Sequence, residues 1–254
     1  MTPNPIIAAL GRGETIVAMW LETGSPDLAE AAVHRGWPVI LVDNEHGVAS
    51  LDDAVAIHRA VRSAGGEVIL RVPSDDPTYL KLVLDRGFRA VMVPMVNTKE
   101  AAKALADACY YPPRGNRGYA APIVRASGYG ANPDYRRDAH DDLLLIAQVE
   151  HVEAVDNIAE IAATDGIDAL FIGPNDLAGS IGKLEELDHP DVLALCERAE
   201  EAILKSGKYL GSITRPTRNT AELHKRGCRI IAGPSDIGIF LAGATAAHKD
   251  HATE

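Results

Sequence analysis

The sequence is poor in the features that mark several large protein classes. Its three cysteines, Cys109, Cys196 and Cys228, lie far apart and form neither a CxxC pair nor a Cys/His metal spacing. A disulfide framework and a structural zinc site are therefore not expected; reduced, buried thiols in a cytoplasmic protein are. No run approaches the roughly 18 consecutive apolar residues of a membrane span. The start, Met1-Thr2-Pro3-Asn4-Pro5, lacks a basic stretch followed by an apolar one, so no secretory signal is expected. Basic residues are in deficit too: 25 Lys and Arg stand against 36 Asp and Glu, for a formal charge of −11. Binding nucleic acid takes a basic patch that displaces counterions from phosphates, and this balance argues against it. Nor is there a repeat, low-complexity tract or linker-like stretch to divide the chain.

What the sequence does contain is an alternation of short apolar runs with longer amphipathic segments. Strands are expected over 16–20, 39–43, 67–72, 90–94, 143–149, 169–173, 209–213 and 229–232. Val39-Ile40-Leu41-Val42 and Leu143-Leu144-Leu145-Ile146 are apolar on consecutive positions, as strands covered on both faces must be. Between them stand helix signals. Ser25-Pro26-Asp27 offers a cap followed by proline at the first helical position, and Ser50-Leu51-Asp52-Asp53 forms a near capping box. Gly36, Gly87, Gly166, Gly207 and Gly227 each fall just before a strand, where helices stop. Eight strand–helix units in 254 residues predict one domain, 1–254, of the α/β class: a (β/α)₈ TIM barrel. A doubly wound open sheet is the competing architecture. The stretch 110–142, with Pro112-Pro113-Arg114-Gly115 and little periodicity, reads as a functional loop or an interface. A last helix over 234–247, rich in Ala and Gly, either closes the barrel or packs on another subunit.

Barrel enzymes collect their reacting groups at the carboxyl ends of strands. Polar residues stand at those points here: Asp43-Asn44-Glu45-His46-Gly47, Arg71, Gln148-Val149-Glu150 and Gly173-Pro174-Asn175-Asp176. Glu150 and Asp176, from neighbouring strands, are the candidate metal ligands. Two carboxylates suit a hard divalent cation such as Mg²⁺, on which a 2-oxo acid can replace two waters. The competing reading makes Asp176 a helix cap and Glu150 a solvated acid. The turn before Asp176 also offers backbone N–H groups of Asn175 and Asp176 to a carboxylate. His46 is the candidate base, since imidazole titrates near neutrality, and Arg71 the candidate stabiliser of an enolate oxygen. A Schiff-base mechanism would need a desolvated lysine at a strand end, and only Lys183, after the sixth strand, comes near.

These motifs, in this order, resemble the metal-dependent (class II) pyruvate aldolases, the family of 4-hydroxy-2-oxoheptanedioate aldolase and 2-dehydro-3-deoxyglucarate aldolase. The resemblance runs from Ala18-Met19-Trp20 to Gly238-Ile239-Phe240. It is carried by Val42-Asp43-Asn44-Glu45-His46, Leu70-Arg71-Val72-Pro73, Pro94-Met95-Val96, Tyr111-Pro112-Pro113-Arg114-Gly115-Asn116-Arg117-Gly118, Arg125-Ala126-Ser127 and Phe171-Ile172-Gly173-Pro174-Asn175-Asp176-Leu177. It implies a barrel of the phosphoenolpyruvate/pyruvate-binding type with a swapped C-terminal helix, and a homo-hexamer. It further implies Mg²⁺, Mn²⁺ or Co²⁺ on Glu150 and Asp176, His46 as general base with Asp85 raising its basicity, and Arg71 at the transition state. Gln148 and Asn175 then bind substrate, and Asp43 helps orient an aldehyde. Asn175 stands where many relatives carry Ala or Ser, and Lys208-Tyr209-Leu210-Gly211-Ser212 departs from the usual seventh strand, so the acceptor is left open. The expected activity is reversible aldol chemistry between pyruvate, or hydroxypyruvate, and an aldehyde. The rivals are a carbon–carbon lyase or synthase acting on a thioester or forming citrate, and a non-catalytic sensor of oxo acids.

Overall fold

The apolar runs pair side by side in chain order until the last meets the first. In the computed structural model, which describes residues 3–251, eight parallel strands form a closed barrel in the order β1 to β8. They are β1 (Ile16–Leu21), β2 (Val39–Asp43), β3 (Glu67–Arg71), β4 (Ala90–Val93), β5 (Leu144–Val149), β6 (Ala169–Ile172), β7 (Tyr209–Ile213) and β8 (Ile230–Ser235). The helices are α1 (Pro5–Gly11), α2 (Pro26–His34), α3 (Leu51–Ser63), α4 (Pro77–Asp85), α5 (Lys99–Cys109), α6 (Tyr135–Asp138), α7 (Val152–Asp156), α8 (Ile158–Ala162), α9 (Pro174–Ser180), α10 (Pro190–Ser206), α11 (Thr220–Lys225) and α12 (Asp236–His251). The closed barrel replaces the competing open sheet.

Local chemistry sets the helix ends where the sequence marked them. Ser50 Oγ accepts the Asp53 amide at 3.2 Å and the Asp53 carboxylate accepts the Ser50 amide at 2.9 Å, completing the capping box with the shorter acid. Proline opens α2, and Gly207 ends α10 at φ 78°, a conformation that costs a side-chain-bearing residue steric strain. β8 continues past the expected stop at residue 232 because its register against β1 shifts between Ala18 and Trp20, which accommodates Gly233-Pro234.

Two apolar layers hold the barrel. Inward side chains such as Leu41, Ile69, Met92, Ile146 and Phe171 fill its interior, while Val42, Leu70, Val91 and Leu145 face the helices. Helix α1 belongs to the interior layer through Ile6, Ala9 and Leu10. The Asn4 side chain donates to the carbonyls of Arg89 (2.8 Å) and Asp142 (3.1 Å), just ahead of β4 and β5. Thus, among the described residues, α1 stoppers the amino-terminal mouth and leaves the carboxyl end of the interior open.

The 110–142 stretch joins the end of α5 to the start of β5, so it lies at the amino-terminal end, away from the rim of its own barrel. It packs on itself through Tyr111, Ala121 and Tyr135. Its Arg125 approaches His58 Nδ1 at 3.2 Å. Burial, with Arg125, Arg62, Arg89 and Arg59 nearby, pushes the His58 imidazolium down to about 3. His58 thus folds neutral and must acquire a proton on unfolding below its ordinary pKa. Its stabilising effect is full above about 6.5 and is lost as pH falls from there. Between pH 7 and 5, His58→Gln should therefore lose about 2 kcal/mol less stability than the parent in urea melts, at ~1.4 kcal/mol per pKa unit. Parallel curves for the two proteins would refute this.

Helix α12 does not close the wall. From Gly238 through His251 every residue is exposed, including Ile239, Phe240 and Leu241. Beneath its first turns an apolar groove of about 360 Å³ is walled by Met19, Leu28, Ala32, Trp37 and Phe240. Past its first turn, α12 therefore adds nothing to the barrel wall. Among the described residues no helix is long and apolar enough to cross a membrane.

Candidate active site

Adjacent strand ends bring the first charged pair together. Asp43 and Arg71 end β2 and β3 and are partners in register. The Arg71 fork donates through Nε (2.9 Å) and Nη2 (2.6 Å) to the fully buried Asp43 carboxylate. The amides of Glu45 (3.0 Å) and His46 (3.3 Å) also donate to Asp43. Burial raises the Asp43 pKa, but the Arg71 fork and these amides outweigh it, and the group sits below the usual carboxylate range. Arg71 also lies 3.1 Å from Glu45 through Nη1, off the line of a good hydrogen bond, and 4.5 Å above the Trp20 ring. Asp43, with its oxygens taken by these donors, fixes the angle of Arg71.

Glu150 follows β5 and is 3% exposed. The Met95 amide donates to one of its oxygens at 2.8 Å and Gln148 Nε2 to the other at 2.9 Å. Burial pushes its pKa up to about 7; the negative charges of Glu45 and Asp176 add to the rise, against the Met95 amide and Arg71. Met95 makes its bond from the left-handed region, φ 56°, a conformation unfavourable for a side-chain-bearing residue. Gly173 supplies the room: a Cβ there would lie 2.5 Å from Glu150 Oε2. Gly173→Ala should therefore displace a pinned carboxylate; if that carboxylate holds a ligand, the usual cost is roughly ten- to a hundred-fold in activity. Circular dichroism would check that the barrel persists, and full activity would show that Glu150 can move without consequence.

One cavity unites these groups. Trp20, Arg71, Gln148, Glu150, Asp176 and Ile213 are among its walls, at the carboxyl end of the barrel. Gln148 Oε1 and Trp20 Nε1 are buried without partners. Asp176 lies in the first turn of α9, and Asn175 beside it borders the same space. Among the described residues no set of three or more His, Cys, Asp or Glu is arranged as a metal cluster. The carboxylates of this cavity are therefore a pair, with Glu45 nearby.

The remaining candidates stand apart. His46 is 70% exposed on the rim, with Nε2 3.7 Å from Glu45 Oε1. Asp85 is the last residue of α4, at the opposite end of the barrel, where Arg117 Nη2 holds it at 2.7 Å. One chain does not bring Asp85 to His46. Lys183 lies 3.9 Å from Glu186 and does not line the cavity. The sequence places Glu45 in the rim cluster without a role, and gives no reason to include Trp20 or the Met95 amide in the site. Their only signal was position, within motifs at the ends of β1, β2 and β4.

A closed parallel barrel with an acidic, arginine-bearing cavity at its carboxyl end defines a (β/α)₈-barrel enzyme site. The sequence profile of the family described as HpcH/HpaI aldolase/citrate lyase matches residues 17–242. The chain belongs to that family. It is 41% identical over 242 residues to 4-hydroxy-2-oxovalerate aldolase of Novosphingobium aromaticivorans, covering 95% of this chain and 92% of that protein. It is 36% identical over 241 residues to hydroxypyruvate/pyruvate aldolase of Cupriavidus necator, covering 95% and 90%. The crystal structure of a HpcH/HpaI aldolase/citrate lyase family protein from Burkholderia cenocepacia superimposes with a TM-score of 0.92 at 33% identity, covering 97% of this chain and 98% of that one.

Proposed function

We propose that this protein catalyses the reversible aldol cleavage of 4-hydroxy-2-oxo acids to pyruvate or hydroxypyruvate and an aldehyde, with a divalent cation on Glu150 and Asp176. The observation that carries the reading is the buried Glu150 carboxylate, pushed up to about 7 and facing a second acid across a cavity with an unpaired Gln148 oxygen. That donor set is all oxygen and short of positive charge, which fits a hard cation; two of the carboxylate's lone-pair sites remain after Met95 and Gln148 are served. Such a cation, when bound, supplies polarisation of the 2-oxo carbonyl.

The chain's own groups do the rest. In the cleavage direction the C4 hydroxyl gives up its proton, the C3–C4 bond breaks to release the aldehyde, and the electron pair moves into the C2 carbonyl as an enolate. Arg71, aimed by Asp43, meets the negative charge that develops on that oxygen. Gln148 and the free amides at Asn175 and Asp176 orient the acid end. His46, on the rim, moves the proton. The enolate carbon then takes a proton to give pyruvate; condensation is the reverse.

Pairing of His46 with Asp85 requires a second copy of the chain, because the two residues stand at opposite ends of one barrel. We therefore place the working unit as a homo-oligomer, a hexamer on the family resemblance, with α12 and the groove beside it as contact surfaces. The test of the activity is proton exchange at the pyruvate methyl, followed by NMR in deuterated water. Exchange that stops under EDTA and returns with Mg²⁺, Mn²⁺ or Co²⁺ supports a metal-dependent enolate-forming enzyme. Binding of pyruvate with no exchange would leave a sensor.

A further inference from the structure

Two histidines outside the reaction cavity hold the same piece of chain. His140 closes the 110–142 stretch on itself: the Tyr111 amide donates to its Nε2 at 3.0 Å. His58, on α3, docks the middle of that stretch onto the barrel: Arg125 Nη2 donates to its Nδ1 at 3.2 Å. An amide and a guanidinium can only donate, so both ring nitrogens must be bare acceptors. We propose that the stretch 110–142 is an acid-released strap, held in place by His58 and His140 only while both imidazoles are unprotonated.

A proton on either nitrogen turns an acceptor into a donor and sets N–H against N–H. For His58 it also sets cation against cation. Arg59 and Arg62 of α3, Arg89 ahead of β4 and Arg125 of the strap all bear on it, and Phe88 meets its ring edge-on at 5.1 Å. The acids beside these arginines are already engaged: Glu67 pairs with Arg62 and Arg89, and Asp142 with Arg89 at 2.9 Å. His140 packs edge-on against Tyr110 at 5.3 Å, with the charges of Arg114, Arg117 and Arg136 set against Asp141. Burial and these arginines hold both imidazoles below their ordinary range, so the docked strap binds no proton where the released one does. The hold is therefore full above a free imidazole's ~6.5 and slackens as pH falls from there.

The strap also carries Arg117, which holds Asp85 at 2.7 Å. Release takes that guanidinium away and leaves the carboxylate without its partner. A loss of turnover follows only on the reading that Asp85 serves His46 of another copy; release itself does not depend on it.

The test is hydrogen–deuterium exchange of the full chain at pH 7.5 and 5.0, corrected for intrinsic rates, with His58→Asn, His140→Gln and the double variant. Asn and Gln place a carbonyl oxygen near the Nδ1 and Nε2 positions and do not titrate. In the parent the strap should be less protected than β2 and β6 at both pH values. Its protection should fall at least about thirty-fold at pH 5.0, ten-fold for each pH unit below ~6.5. The double variant should keep its protection within about three-fold across the same range. No fall in the parent, a parent-like fall in the double variant, or a strap that opens only together with β2 and β6 would overturn the proposal. The comparison within the parent needs no variant to fold, and thermal melts at pH 7.5 establish that the variants do. Turnover at pH 5.0 relative to pH 7.5 should be higher in the double variant than in the parent, since the two share every group of the reaction cavity. Equal ratios beside a released strap would sink the link to Asp85 and uphold the release.

Discussion

Glu150→Gln should abolish turnover and at the same time make the metal-free protein more stable at pH 8. The two effects come from one cause. Above pH 7 the parent holds a buried charge beside Glu45 and Asp176 that the Met95 amide and Arg71 offset only in part. Because burial raises the folded-state pKa of this carboxyl, the native state binds the proton more tightly than the unfolded chain. Stability from this group is full below about 4.5 and is lost as pH rises to about 7. A neutral amide of the same shape removes that penalty, on the order of 2 kcal/mol after allowance for relaxation, at ~1.4 kcal/mol per pKa unit. On the proposed reading it also removes a metal ligand, and the loss of carbonyl polarisation, worth several kcal/mol, corresponds to at least about a thousand-fold in rate. Melting curves in EDTA and aldol assays with added Mn²⁺ measure the two halves. If Glu150→Gln melts lower than the parent at pH 8, or keeps its metal response, the assignment of Glu150 fails. Asp176→Asn should show the catalytic loss alone, because that residue is exposed at the cavity mouth.

The second large effect separates residues on one chain from residues on two. His46→Ala and Asp85→Asn should each reduce turnover by roughly 10²- to 10⁴-fold, the range for lost acid–base assistance. Co-expressed in equal amounts, the two variants should regain activity, up to about a quarter of the parental level. That is the random share of head-to-tail contacts that join an intact His46 to an intact Asp85. Recovery can occur only if both variants fold and assemble, so the mixture contains its own control. A mixture no more active than the separate variants would show that the two residues do not work as a pair across subunits.

Much of this architecture is legible in the sequence because it depends on short-range signals. All eight strands fall within a residue or two of the expected spans, except for the carboxyl end of β8. Runs such as Leu144-Leu145-Ile146 have no periodicity to misread, and Ser50 and Asp53 cap α3 as their spacing implies. Strand ends also localise chemistry, which is why Arg71, Gln148, Glu150 and Asp176 converge on one cavity. What escaped was set by long-range geometry. The 110–142 stretch reads as a functional loop or an interface, and only the fold shows that, as a helix-to-strand connection, it belongs to the amino-terminal end. Asp85 sits in an amphipathic helix like many other acids; only the helix direction shows that it points away from its own rim. The left-handed turn at Met95 had no glycine or asparagine to announce it. Trp20 ends an apolar run, and its unpaired indole N–H appears only once the cavity is built.

Helix α12 has a consequence for handling the protein. Ile239, Phe240 and Leu241 lie on an outlying arm that the rest of the chain leaves bare. If a neighbouring molecule covers that arm, part of each chain's folding energy is held in common, and thinning the solution becomes a stress in its own right. Melting temperature should then climb with protein concentration, and a preparation robust when concentrated should fade at assay dilution for reasons unrelated to its chemistry.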